Sequence, residues 1–257
     1  MTRPVTIVRA VGPEQAPPVV LFHGMGLGRW IWGRTQETLA KGGITSFAYD
    51  LPGHGDSPSN PSLDQAIDEV EAVIRSVPGS SVVGHSVGGY LSQVAVTRVR
   101  VPALALVGAF PTRAVQLVPT RDQLRSSLRH TAAALLGQPF RLRYGDYHRC
   151  GFDKLPEDEA KNAFERITPW PGRLVRKLAF QPHHVNREAI GAPVLCVIGR
   201  HDRVVRWQVG RALGEHLDAL IWRYDDLGHF PMMQPEGVRF DEDLAGWLKN
   251  PRGRKVR

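Results

Sequence analysis

Short apolar runs alternating with helix-length stretches constrain the fold of this chain more than any other feature. Mostly apolar runs extend over Val19 to Phe22, Ile44 to Tyr49, Ser81 to Val83, Ala103 to Val107, Val194 to Ile198 and Leu220 to Tyr224. Each stops at a turn or breaker: His23-Gly24, Asp50, Gly84-His85, Gly108, Gly199 and Asp225-Asp226. Runs this short that are apolar nearly throughout suit parallel strands covered on both faces. Helical stretches lie between them, at Arg29 to Lys41, Leu63 to Val77, Ser86 to Arg98, Trp207 to Leu217 and Val238 to Leu248. The second carries Asp64, Asp68 and Glu69 in its early turns, where the helix dipole favours acids. Strand–helix alternation at this spacing predicts βαβ units, hence an α/β chain with a mostly parallel, doubly wound sheet.

One segment breaks the rhythm. From about 110 to 190 there is no strong strand pattern, whereas Arg121 to Leu136, Glu157 to Arg166 and Arg173 to Phe180 read as helices. The expected organisation is therefore a core of residues 1–109 and 191–250, a helical cap or lid over 110–190, and a basic tail over 251–257. Charge follows the same division. The net charge is +8, but 14 Lys and Arg against 7 Asp and Glu lie between Phe110 and Arg187. The last nine residues hold five bases and no acid, so the remainder of the chain is net negative. A short basic end with no nucleic-acid motif reads as a solvated tail, and no nucleic-acid partner is expected.

A chain of 257 residues, 42% hydrophobic and 23% charged, can bury a large core. No stretch reaches the roughly 18 apolar residues of a spanning helix, and the first residues lack a signal-peptide pattern. Cys150 and Cys196 make no disulfide framework and are expected as free thiols. A cytoplasmic protein with no membrane partner, either monomer or homodimer, is expected.

The strongest chemical signal is Gly84-His85-Ser86-Val87-Gly88-Gly89, a G-x-S-x-G sequence between an apolar run and a helix. A serine on so sharp a turn points into open space, and small neighbours let the turn close. The alternative is a serine that merely N-caps the helix. His229, in Leu227-Gly228-His229-Phe230-Pro231, follows the last apolar run and is the candidate base. Asp202 follows the Val194 to Ile198 run and is the candidate to orient it. Asp225 and Asp226 compete, but they share a loop with His229 and would need a fold-back to reach its ring. Ser86, Asp202 and His229 follow three different strands, so all three are expected at the carboxyl edge of the sheet. Glycines in His23-Gly24-Met25-Gly26 let backbone approach a substrate oxygen, and the N–H groups of Met25 and Val87 are the expected oxyanion donors. His23 is expected to be structural.

With those residues in place, the sequence resembles the α/β-hydrolase superfamily in its compact form with a helical cap. The resemblance rests on Phe22-His23-Gly24-Met25-Gly26, on the elbow around Ser86, and on the Asp202 and Gly228-His229 loops. It also rests on Asp50-Leu51-Pro52-Gly53-His54-Gly55-Asp56-Ser57, similar to the D-x-x-G-x-G-x-S loop of that superfamily. The chain before Val19 is short, so the leading strands are expected trimmed to a hairpin or less, with the cap inserted after the sixth strand. The resemblance implies a serine hydrolase acting on a carboxylic ester or thioester through an acyl-enzyme, with no cofactor and no metal. The same three residues on an anionic substrate would serve a carbon–carbon bond hydrolase or lyase, and some proteins of this fold only bind ligands. The substrate is expected to be a small molecule. The cap residues Leu124, Leu128, Leu135, Leu136, Phe140, Phe164, Trp170 and Leu174 are candidates to line its pocket. Arg121, Arg125, Arg129, Arg141 and Arg143 are candidates to draw in an anionic or carrier-bound substrate.

Overall fold

The computed structural model describes residues 4–57, 59–117, 121–180 and 182–251, with the side chains of 121–127 left aside. Its strands are β1 (Val5–Val8), β2 (Val19–Phe22), β3 (Ser46–Tyr49), β4 (Ser81–His85), β5 (Leu104–Val107), β6 (Val194–Gly199) and β7 (Leu220–Tyr224). They form one sheet in the order β1-β3-β2-β4-β5-β6-β7. β1 pairs antiparallel with β3, and every other pairing is parallel. The chain winds one way from β2 to β3 and the other way from β4 onward. The sheet therefore has a switch point between β2 and β4, where open α/β sheets leave a crevice at the carboxyl ends.

Alternation along the strands divides the core. Val19 and Leu21 face one cluster with Leu39 of α1 (Gly33–Lys41) and Phe240 and Leu244 of α9 (Val238–Lys249). Val20 and Phe22 face the other, with α2 (Leu63–Ser76), α3 (Val87–Ala95) and α8 (Trp207–His216). Burial on both faces is why β2, β4, β5 and β6 are buried along their whole length. α2 starts where the sequence suggests because Ser62 and Gln65 form a reciprocal capping box.

Between β5 and β6 run α4 (Arg121–Leu135), α5 (Tyr144–Cys150), α6 (Glu157–Glu165) and α7 (Gly172–Phe180). These helices are not a detached body. Tyr147, Phe152, Ala160 and Ile167 join one core cluster, and Leu174 and Val185 join the other. The helical segment follows the fifth strand, not the sixth expected from sequence. Gly12, Pro13, Pro17 and Pro18 interrupt the chain before β2, so a single strand forms there and crosses to pair with β3. The stretch expected as one helix from Arg29 is a 3-10 turn over Arg29–Trp32 followed by α1, because the carboxylate of Asp50 takes the Arg29 N–H and its guanidinium. Both cysteines are free thiols. Among the described residues no helix is long and apolar enough to cross a membrane.

Candidate active site

Ser86 is the first residue beyond β4, with φ 52° and ψ −120°, a left-handed conformation rare for a residue with a Cβ. Its side chain makes no capping bond to α3, which removes the bland role of a helix cap. The turn closes because its flanks are glycine. A Cβ on Gly84 would stand 2.6 Å from the Gly89 Cα, and one on Gly88 would collide with the His23 carbonyl oxygen. The strained serine is held by the Ser86 N–H donating to the Val107 carbonyl and by the Phe110 N–H donating to the Ser86 carbonyl.

His229 lies in the loop after β7 and Asp202 in the loop after β6. The structure brings them together, with His229 Nδ1 2.8 Å from Asp202 Oδ2, both buried. Asp202 Oδ1 accepts the Val204 and Val205 N–H groups at 2.7 and 2.8 Å, so the carboxylate is oriented from both sides. Asp225 and Asp226 instead pair with Arg200, Arg223 and Arg239 at the surface. Ser86 and His229 line one cavity, without a direct hydrogen bond between the hydroxyl and the imidazole among the described residues. Such bonds commonly tighten only when substrate is bound.

Sequence reasoning passed over His85. Its Nε2 donates to the His229 carbonyl oxygen at 2.9 Å, and the two rings lie 4.7 Å apart. Burial, with the neighbouring His229 adding to it, holds the His85 pKa well below the usual histidine value, so the ring stays neutral. The contact joins residues 144 apart in sequence, and no local pattern announces it.

Met25 and Val87 line the same cavity as Ser86. Among the described residues neither backbone N–H has a hydrogen-bond partner. The loop carrying Met25 is held by His23, whose Nε2 accepts the Leu51 N–H at 2.9 Å while Nδ1 donates to the Gly24 carbonyl at 2.7 Å. Burial first lowers the His23 pKa to about 4, which keeps this donor–acceptor pattern intact near neutrality. His54 packs edge-on against His23, and burial lowers its pKa to about 3.

The cavity has a volume of about 740 Å³ and is walled mainly by apolar side chains. Of the helical-segment residues singled out from sequence, Leu135, Phe140 and Trp170 line it. Phe164 packs on Tyr144 and Tyr147, and Leu174 is in the core. Leu128 and Leu136 point to solvent at 76% and 74% exposure, because they sit on the outer side of the segment. The Leu124, Arg121 and Arg125 side chains lie outside the described residues. Arg129 pairs with Asp146, and Arg141 covers the Phe164 ring. The cations that do line the cavity are Arg113 and Arg176, which sequence reasoning did not name. Among the described residues no group of three or more His, Cys, Asp or Glu is placed to hold a metal ion.

The sequence profile of the alpha/beta hydrolase family matches residues 19–241. A pimeloyl-[acyl-carrier protein] methyl ester esterase from Chromobacterium violaceum is 36% identical over 235 residues, 86% of this chain and 91% of the relative. One of the same name from Aromatoleum aromaticum is 27% identical over 84% of this chain and 92% of its own length. A monoacylglycerol lipase from Paleococcus ferrophilus superposes with a TM-score of 0.75 at 22% identity, covering 97% of this chain and 99% of its own. The profile runs from β2 into the first turn of α9 and takes in the loops that carry Ser86, Asp202 and His229, and on that ground the chain belongs to the alpha/beta hydrolase family.

Proposed function

We propose that this chain is a serine hydrolase that cleaves a carboxylic ester or thioester through an acyl-enzyme formed on Ser86. The chain is a hydrolase acting on ester bonds, in keeping with relatives named as methyl ester esterases. The observation that carries the finer assignment is the buried Asp202–His229 pair, whose imidazole shares one cavity with a strained Ser86 and two unpartnered amides.

In this mechanism Ser86 Oγ attacks the acyl carbon while His229 Nε2 takes its proton. The carbonyl electron pair moves onto oxygen, where the Met25 and Val87 N–H groups stabilise it. Collapse of the tetrahedral adduct expels the alcohol or thiol, which leaves with the proton from His229. Water, deprotonated by the same imidazole, then releases the acid and restores Ser86. Asp202 holds the Nδ1–H tautomer and offsets the imidazolium charge.

The helices between residues 110 and 190 serve as a lid over this cavity. The substrate is an anionic or carrier-bound small molecule. Support comes from Arg113 and Arg176 at the cavity wall and from relatives whose names specify an acyl-carrier protein ester. Two free thiols fit a reducing compartment, the cytoplasm.

The test is hydrolysis of p-nitrophenyl esters from acetate to laurate, with Ser86→Ala as the blank. Turnover with a chain-length optimum that the variant abolishes is expected. Turnover no faster than the blank for every ester would refute it. For the anionic part, a carboxylate-bearing ester is expected to outrun its neutral isostere at low salt and to lose that advantage as salt is added.

A further inference from the structure

The cavity around Ser86 is apolar over most of its wall, yet it contains a buried threonine with nothing to bind. Thr112 is 1% exposed, lines the cavity, and its Oγ1 has no hydrogen-bond partner among the described residues. A buried hydroxyl left unpaired is unfavourable, and valine would fill nearly the same volume without that penalty.

The position of Thr112 is well defined. Two residues before it, the Phe110 N–H donates to the Ser86 carbonyl at 3.1 Å, and Gln93 Nε2 donates to the Phe110 carbonyl at 2.9 Å. One residue after it, the Arg113 N–H donates to the His183 carbonyl at 2.8 Å. The Thr112 carbonyl itself accepts the Val115 N–H at 3.1 Å. The backbone is thus pinned on both sides and its carbonyl is used, while the buried hydroxyl is left without a partner among the described residues. Two residues of chain reach at most about 7 Å, so Thr112 lies on the stretch of cavity wall that continues from the Ser86 turn.

We infer that Thr112 is a specificity-determining residue, its hydroxyl reading a hydroxyl or oxo group on the acyl chain of the ester, close to the scissile carbonyl. This rests on Ser86 being the nucleophile of the proposed function. A threonine hydroxyl both donates and accepts, so it can pair with either substituent. An acyl chain without one leaves the hydroxyl unpaired in the complex, and sites built to hydrogen-bond a substrate group discriminate strongly against the analogue that lacks it.

The experiment compares methyl octanoate with its isomers carrying a hydroxyl on the second, third or fourth carbon. Wild type, Thr112→Val, Thr112→Ser and the Ser86→Ala blank are assayed together. Wild type is expected to favour at least one hydroxy ester over the plain ester by about tenfold or more in kcat/KM. Thr112→Val should bring that ratio towards one, and Thr112→Ser, which keeps the hydroxyl, should retain most of it. Ser86-dependent hydrolysis with no preference in wild type, or a preference that survives in Thr112→Val, overturns the role of Thr112 alone. Failure to hydrolyse any of the four esters overturns the ester reading together with it.

Discussion

At the scale of single residues, the two oxygens of Asp202 do different work. Oδ1 is occupied by the Val204 and Val205 amides, and Oδ2 faces His229 Nδ1. In Asp202→Asn the side-chain carbonyl keeps the two amides, so the NH2 group turns toward the imidazole. It would force the proton onto Nε2, where the base is needed. A fall in kcat of roughly 10⁴-fold with little change in melting temperature is expected from steady-state kinetics and a thermal melt. Gly88 shows the packing side of the same site. A methyl there meets the His23 carbonyl and, at 2.7 Å, the Phe22 carbonyl, both backbone atoms that cannot swing away. Gly88→Ala should lower stability by about 1–3 kcal/mol in urea unfolding, with loss of activity as the His23–Met25 loop is displaced. An unchanged midpoint would mean that the turn gives more easily than its contacts imply.

Among elements, α7 and the chain just beyond it are tied to the sheet layer through one small network. Tyr90, buried on α3, accepts the His183 N–H at 2.6 Å and donates to His183 Nδ1 at 3.1 Å. That leaves His183 Nε2 to face Asp64 of α2 at 3.2 Å, and Lys177 of α7 pairs with the same carboxylate. The two parts of the network differ in burial. Asp64 is half exposed, so Asp64→Asn should cost under about 1 kcal/mol. Tyr90→Phe leaves a backbone N–H unpaired near the core and should cost about 1–3 kcal/mol. Hydrogen exchange over residues 172–185 is expected to accelerate more in Tyr90→Phe than in Asp64→Asn, and the reverse order would place the tie in the ion pair. α5 is the element that sequence did not announce. Seven residues with Gly145, Asp146 and Arg149 among them have too little apolar periodicity to register, and the helix exists because Tyr147 packs on Phe152 and Phe164.

On the scale of the whole molecule, α1 and α9, more than 190 residues apart in sequence, meet behind the His229 loop. Arg34 of α1 donates to Asp241 of α9 at 2.6 Å and to the Pro231 carbonyl at 2.8 Å, and Thr35 donates to the other Asp241 oxygen. Burial outweighs both partners and raises the Asp241 pKa to about 6. A carboxyl whose pKa rises on folding adds stability that is fully present below the ordinary carboxylate range and is lost as pH climbs through about 6. His23, His54 and His85 act in the opposite sense. Their lowered values contribute stability above the ordinary histidine pKa that is lost as pH falls. The stability difference between wild type and Asp241→Asn isolates the carboxyl. It should shrink in favour of the variant as unfolding is followed from pH about 4 to about 7, and a difference independent of pH would remove Asp241 as the titrating group.

What the sequence determined by itself was local. The spans of β2 and β7, the starts of β4 and β6, the glycines around Ser86 and the loops carrying Asp202 and His229 follow from apolar runs and turn residues a few positions apart, whereas β4 and β6 run on through the expected breakers to His85 and Gly199. Packing over long sequence distances decided the rest. Asp202, and not the nearer Asp225 or Asp226, faces the imidazole because β6 and β7 are parallel neighbours whose ends align, Gly199 opposite Tyr224. That β1 crosses to pair antiparallel with β3 was likewise not written in its own four residues. The polar wall of the cavity, Thr112, Arg113 and Arg176 among it, comes from a strap and a helix brought together only by folding. A periodic pattern records which face of an element is buried, but not which element buries it, and it is that second fact that shapes the cavity.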